Sequence, residues 1–182
     1  MPDMNTALLV IDVQQLLCNG DEAAYDIDRV IERINGVAVR ARTAGAPVFM
    51  IQHEDDGPLR HGSDGWQLDP RLSVQPDDLH LRKTACDSFH HTELQALLHA
   101  RDIERLVVCG LQSEYCVDST VRRALALGYP VTLVSDAHST IDNGVLTAAQ
   151  ISAHHTTTLA HLESFGPRVT PVPAAEVRFD GA

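Results

Sequence analysis

Residues 6–12 read Thr6-Ala7-Leu8-Leu9-Val10-Ile11-Asp12, an apolar run that stops at an acid. A strand with one face in water alternates apolar and polar side chains, whereas a strand covered on both faces does not. The run therefore predicts a strand inside a parallel sheet. The same design returns in Pro47-Val-Phe-Met-Ile-Gln52, Arg105-Leu-Val-Val-Cys-Gly-Leu111 and Pro130-Val-Thr-Leu-Val-Ser-Asp136. Val169 to Val172 is a shorter last strand, weakened by Pro171.

Helical spacing fills the gaps. From Asp26 to Thr43 the residues Ile27, Val30, Ile31, Ile34, Val37 and Ala38 fall on one stripe, and Gly45 and Pro47 follow as stop signals. Thr92 to Ala100, Val117 to Leu127 and Asp142 to Leu162 are read as further helices. Strand and helix alternate, which predicts a three-layer αβα fold built on a doubly wound, mostly parallel sheet of Rossmann-like topology. Residues 53–82 are read as one long connection, a length that in compact domains often carries function.

With 182 residues, the chain suits a single domain over 1–182. Its 14 basic and 25 acidic side chains give a net charge of −11, which argues against nucleic-acid and membrane-surface partners. No apolar stretch approaches the length of a membrane span and no leader pattern opens the chain, so a cytoplasmic location is expected. Cys18, Cys86, Cys109 and Cys116 lack CxxC pairing or zinc-type spacing, and free thiols are expected.

Three residues could carry chemistry. Asp12 ends the first strand, where it is either a turn-capping acid or a ligand or base at the sheet's carboxyl edge. Cys116 falls in the first turn of a helix that follows strand 105–111, with Ser113 as candidate N-cap. It is either a small buried hydrophobe or a nucleophile whose thiolate the helix terminus favours. Lys83 follows the long connection and is either a solvated lysine or a charge brought to the site.

Together with their flanks these residues resemble the isochorismatase-like cysteine hydrolases, the superfamily that includes nicotinamidases. The matching segments are Asp12-Val13-Gln14, Lys83-Thr-Ala-Cys-Asp-Ser-Phe89, Gly110-Leu-Gln-Ser-Glu-Tyr-Cys116-Val117 and Val131 to Thr140, and the likeness covers residues 6–165. The resemblance implies Asp12 as general base, Lys83 as the neighbouring positive charge that favours thiolate, and Cys116 as the attacking thiol. It also implies a cis peptide at Leu111-Gln112 and an oxyanion hole from the N–H groups of Gln112 and Cys116. Oligomers are frequent in the superfamily, so a homodimer or homotetramer is expected.

Nicotinamidases hold a metal through an Asp-x-His pair after the second strand, but here that stretch reads Gln52-His53-Glu54-Asp55 with His61 downstream. His53, Asp55 and His61 are zinc-type ligands, yet a hydrogen-bonding His53 beside a solvated acidic loop is the simpler reading. A metal-free branch without cofactor is therefore expected. Candidate substrate-binding residues are Gln14, Leu17, His53, Trp66 and Tyr115: Trp66 as pocket wall or core plug, and Tyr115 as cleft lining or outward contact.

The leading functional expectation is hydrolysis of a C–N bond, an amide, by Cys-Asp-Lys chemistry. Vinyl-ether hydrolysis of the isochorismatase type needs no thiol, which Cys116 counts against. A flavodoxin-like binding module lacks support because no Gly-rich loop follows the first strand.

Overall fold

The computed structural model describes residues 4–179. The apolar runs become β1 (Thr6–Ile11), β2 (Val48–His53), β4 (Arg105–Leu111) and β5 (Val131–Ser139), joined by β3 (Leu79–Lys83) and β6 (Val169–Val172). They form one six-stranded sheet in the order β3-β2-β1-β4-β5-β6, every pairing parallel. All six residues of β1 are buried, as its unbroken apolar sequence requires.

The pleat sends alternate residues of each strand to opposite faces, and each face builds its own core. Leu9, Ile11, Phe49, Ile51 and Val108 point to the side covered by α3 (Leu94–His99), α4 (Asp118–Ala126) and α5 (Ala148–Ala160). Leu8, Val10, Met50, Val107 and Cys109 point to the side covered by α2 (Ile27–Thr43), which presents Ile31, Ile34 and Val37. The result is the expected three-layer fold. A one-turn α1 (Gln15–Cys18) leads out of β1.

Three elements differ from the sequence reading. The 53–82 connection is not one loop, because Leu79–Lys83 pairs with β2 as an edge strand, and its alternating burial reflects one open face. The last helix begins at Ala148 rather than Asp142: Thr147 and Gln150 form a reciprocal capping box that fixes the start. The segment after β4 opens as a π-helical turn, Ser113–Val117, before α4. Ser113 is not its cap, since the residue at the cap position is Gln112 and the Ser113 hydroxyl is engaged by His138 and Ser152.

Residues 54–78 are tied down by two arginines. Arg71 binds Asp69, Asp28 and the Cys18 carbonyl, and Arg42 holds Asp78 and the Ser73 carbonyl. The chain winds outward from β1 in one direction and returns through β4 in the other, so the crevice of this topology opens at the carboxyl ends of β1 and β4. Among the described residues no helix is long and apolar enough to cross a membrane.

Candidate active site

Adjacent strand ends supply the site. Asp12 stands immediately after β1 with φ +53°, Lys83 is the last residue of β3, His53 the last of β2, and Cys116 lies in the turn after β4. Lys83 Nζ joins them. It donates to Asp12 Oδ2 at 2.8 Å and to Cys116 Sγ at 3.2 Å, with the Ala85 carbonyl also at 3.2 Å and His53 Nδ1 at 3.2 Å. Asp12, Lys83 and Cys116 are buried, whereas His53 is partly exposed.

Burial by itself pushes Lys83 toward its neutral form, but the Asp12 carboxylate and then Cys116 outweigh it and hold the lysine pKa above its ordinary value. Burial also dominates at Cys116 and raises its pKa. Asp12 adds to that rise, while Lys83 opposes it. The balance at Cys116 thus lies toward the thiol, because a second negative charge beside a buried carboxylate costs more than one ammonium returns. Asp12 Oδ1 is buried and has no hydrogen-bond partner among the described residues.

The Leu111-Gln112 peptide is cis. Gln112 leads into the π turn, and its carbonyl accepts from the N–H groups of Tyr115 and Val117.

Ligand atoms of Asp12, His53 and Cys116 lie within 4.8 Å of one another, a donor set of the kind that binds zinc. The Lys83 ammonium touches all three, however, so the cation among them is the protein's own. His53, Asp55 and His61 are not gathered into one group. Asp55 accepts from the N–H groups of Gly57 and Leu59, and His61 meets the Trp66 ring edge-on at 4.6 Å.

The remaining sequence candidates divide. Gln14 is fully buried, and its amide binds the N–H and carbonyl of His53 and the carbonyl of Trp66, so it braces the wall and offers no exposed atom to a ligand. Gln52 Nε2 donates to the same Trp66 carbonyl at 3.0 Å. Trp66 is partly exposed, and its indole nitrogen is buried without a partner among the described residues. Leu17 is partly buried and packs against the β1–α2 core. Tyr115 is 53% exposed and faces outward.

Sequence reasoning missed the bracing by Gln14 and Gln52, the His53–Lys83 contact, and a buried chain in which His138 links Ser113 to Thr156. These contacts span 14 to 52 positions and leave no local pattern, apart from the polar residues inside otherwise apolar strand ends.

Comparison with known proteins agrees with this geometry. The isochorismatase domain model matches residues 6–171. The chain belongs to the isochorismatase family. It is 43% identical to a streptothricin hydrolase of Streptomyces noursei over 141 residues, which are 75% of this chain and 50% of that protein. The chain spans about half the length of the streptothricin hydrolases it matches. A ureidoacrylate amidohydrolase of Caulobacter vibrioides is 31% identical over 170 residues, 72% of this chain and 76% of the relative. A crystal structure of an isochorismatase family protein superposes with a TM-score of 0.85 at 38% identity, over 92% of this chain and 98% of the other. Family membership thus rests on most of the chain, and the site residues all lie within the matched span.

Proposed function

We propose that the protein hydrolyses an amide C–N bond of a small molecule, with Cys116 as nucleophile, Asp12 as proton carrier and Lys83 as the charge that couples them. The observation that carries this reading is the buried Lys83 ammonium, which contacts Asp12 Oδ2 and Cys116 Sγ together. The names of the streptothricin hydrolase and ureidoacrylate amidohydrolase relatives support the same class of chemistry.

In the first half-reaction the Cys116 proton passes to Asp12 Oδ1 as sulfur attacks the carbonyl carbon. The proton moves within the cluster, so its net charge is unchanged, and Lys83 faces the negative charge whether it lies on Asp12 or on sulfur, which lowers the cost of making thiolate in a buried site. The oxyanion is received by the N–H groups of Gln112 and Cys116; losing one such donor would cost about 10²–10³ in rate. Collapse breaks the C–N bond, and the leaving nitrogen takes the proton from Asp12. Water then attacks the thioester, gives its proton to Asp12, and releases the carboxylic acid as sulfur regains a proton.

Vinyl-ether hydrolysis makes no use of a thiol hydrogen-bonded to an ammonium, so the Lys83–Cys116 contact favours the amide reading. The test is an amide panel with detection of released ammonia or amine, run on the wild type and on Cys116→Ala. Turnover that disappears in Cys116→Ala, with a covalent acyl adduct on Cys116 seen by mass spectrometry, is the expected result. Full turnover by Cys116→Ala would overturn the proposal.

A further inference from the structure

The β2 contribution to the cluster, His53, has no part in the proton transfer described above, yet the fold fixes it with unusual care. Its N–H donates to Gln14 Oε1 and its carbonyl accepts from Gln14 Nε2, both at 2.9 Å, so one buried amide clamps both sides of the residue. The same amide reaches the Trp66 carbonyl, which Gln52 also holds. Two buried glutamines are thereby spent on the backbone at His53 and on the loop beside it.

The ring is oriented as well. Lys83 is held charged, and an ammonium offers only donors. At 3.2 Å from Lys83 Nζ, His53 Nδ1 must therefore accept, which leaves the ring proton on Nε2. Nε2 has no partner among the described residues and is not among the sealed, unpartnered atoms, so its N–H reaches the open side of the cluster. Asp12, Lys83 and Cys116 are buried, and His53 alone of the four is partly exposed. It is the member of the cluster that an incoming molecule meets.

The strand order says which part of that molecule. From β3 to β4 the sheet edge presents Lys83, His53, Asp12 and then the nucleophile turn. His53 therefore stands beyond Asp12 as seen from the turn, on the side where Asp12 would hand its proton to the leaving nitrogen in the amide reading.

We infer that His53 is a substrate-contacting residue whose Nε2–H donates to an acceptor atom on the leaving-group side of the scissile C–N bond. This rests on the amide-hydrolysis reading above and adds a selectivity to it: leaving amines that carry an oxygen acceptor are preferred over their hydrocarbon isosteres.

The experiment compares the N-(2-methoxyethyl) amide and the N-butyl amide of one acid, which differ by an ether oxygen in place of a methylene. The wild type is expected to favour the former by about ten-fold in kcat/KM, the worth of one net hydrogen bond. His53→Asn, whose Oδ1 keeps an acceptor for Lys83 while its N–H groups stop short of the Nε2 position, should reduce that preference to within about two-fold; His53→Gln, whose amide reaches further out, should recover part of it. Thermal melting checks that each variant is folded. Nitrogen-detected NMR of the free protein should find the His53 proton on Nε2. A proton on Nδ1, or a preference unchanged in His53→Asn, overturns the inference while amide hydrolysis stands. If the wild type turns over no amide, the functional reading fails by itself, and calorimetric binding of the two amides to Cys116→Ala decides the His53 contact: equal affinities overturn it.

Discussion

Lys83 Nζ and Asp12 Oδ2 lie 2.8 Å apart, with side chains 0% and 1% exposed, so each ion is the other's main compensation for lost water. Removing one partner from such a pair leaves an unmatched buried charge, at a cost of about 3–5 kcal/mol. Lys83→Met, close in shape, is expected to lose that much stability in urea unfolding and to lose turnover. The double variant Asp12→Asn, Lys83→Met removes both charges, so it should regain most of the stability and none of the activity. If the single and double variants unfold alike, the pair is not coupled as the geometry implies.

Cys116 tests the proton placement. Burial and the Asp12 carboxylate hold its thiol protonated, whereas Cys86 is exposed. Thiolate is the reacting species. Iodoacetamide at neutral pH is therefore expected to modify Cys86 before Cys116, Cys18 and Cys109, since all three are buried with raised pKa values, Cys18 at about 12. Peptide mapping over a time course reads the order. In Asp12→Asn the carboxylate that raises the Cys116 pKa is gone while Lys83 remains, so Cys116 should be alkylated faster than in the wild type although amide turnover is lost; an unchanged alkylation rate would mean that the carboxylate does not hold the thiol protonated.

The strands that build the site were legible because burial on both faces wrote itself as unbroken apolar runs, and the acid and thiol were legible because each ends such a run or opens the next helix. Leu79–Lys83 was not, because an edge strand with one open face mixes Leu with His and Arg and sits behind a proline and two acids. The start of α5 could have been found: Thr147 and Gln150 stand at capping-box spacing, and the apolar letters Val145 and Leu146 before them are exposed loop. What no local pattern encodes is the meeting of side chains from different strands. His53 and Lys83 are 30 positions apart, Ser113 and His138 are 25 apart, and only the register of the sheet brings them within hydrogen-bond reach.

Gly110 marks where β4 passes closest to β1. It has φ +117°, and a Cβ there would meet the Ile11 carbonyl oxygen at 2.1 Å and the Ile11 nitrogen at 2.7 Å, both backbone atoms that cannot swing aside. Ile11 precedes Asp12, and Gly110 is two residues before Gln112, so any shift that relieved the clash would separate Asp12 from the turn that carries Cys116. Gly110→Ala is expected to cost more than about 3 kcal/mol in urea unfolding. A variant that unfolds like the wild type would show that the two strands can part without cost.

His138 ties the turn that carries Cys116 to α5, and each bond in that tie has a direction. Thr156 spends its hydroxyl proton on the Ser152 carbonyl, so it accepts from His138 Nε2 at 2.8 Å; Nδ1 then accepts from the Ser113 hydroxyl at 2.8 Å, and Ser113 accepts from Ser152 at 2.9 Å. Burial first, and the neighbouring His155 second, push the His138 pKa down to about 4, with Asp136 opposing. Below the ordinary histidine value of 6.5 the unfolded chain therefore binds a proton that the folded protein refuses, and stability falls as pH falls from 6.5 toward 4. The slope from this one group is about 1.4 kcal/mol per pH unit. Between pH 7 and pH 5 the wild type should lose about 2 kcal/mol on this account, and His138→Gln, which cannot titrate, should lose about that much less over the same interval. Urea unfolding at the two pH values measures the difference. Because Ser113 opens the turn that carries Cys116, the same variant should lower kcat more than it raises KM; an unchanged pH slope would mean that His138 is protonated in the folded protein and that the bond directions above are reversed.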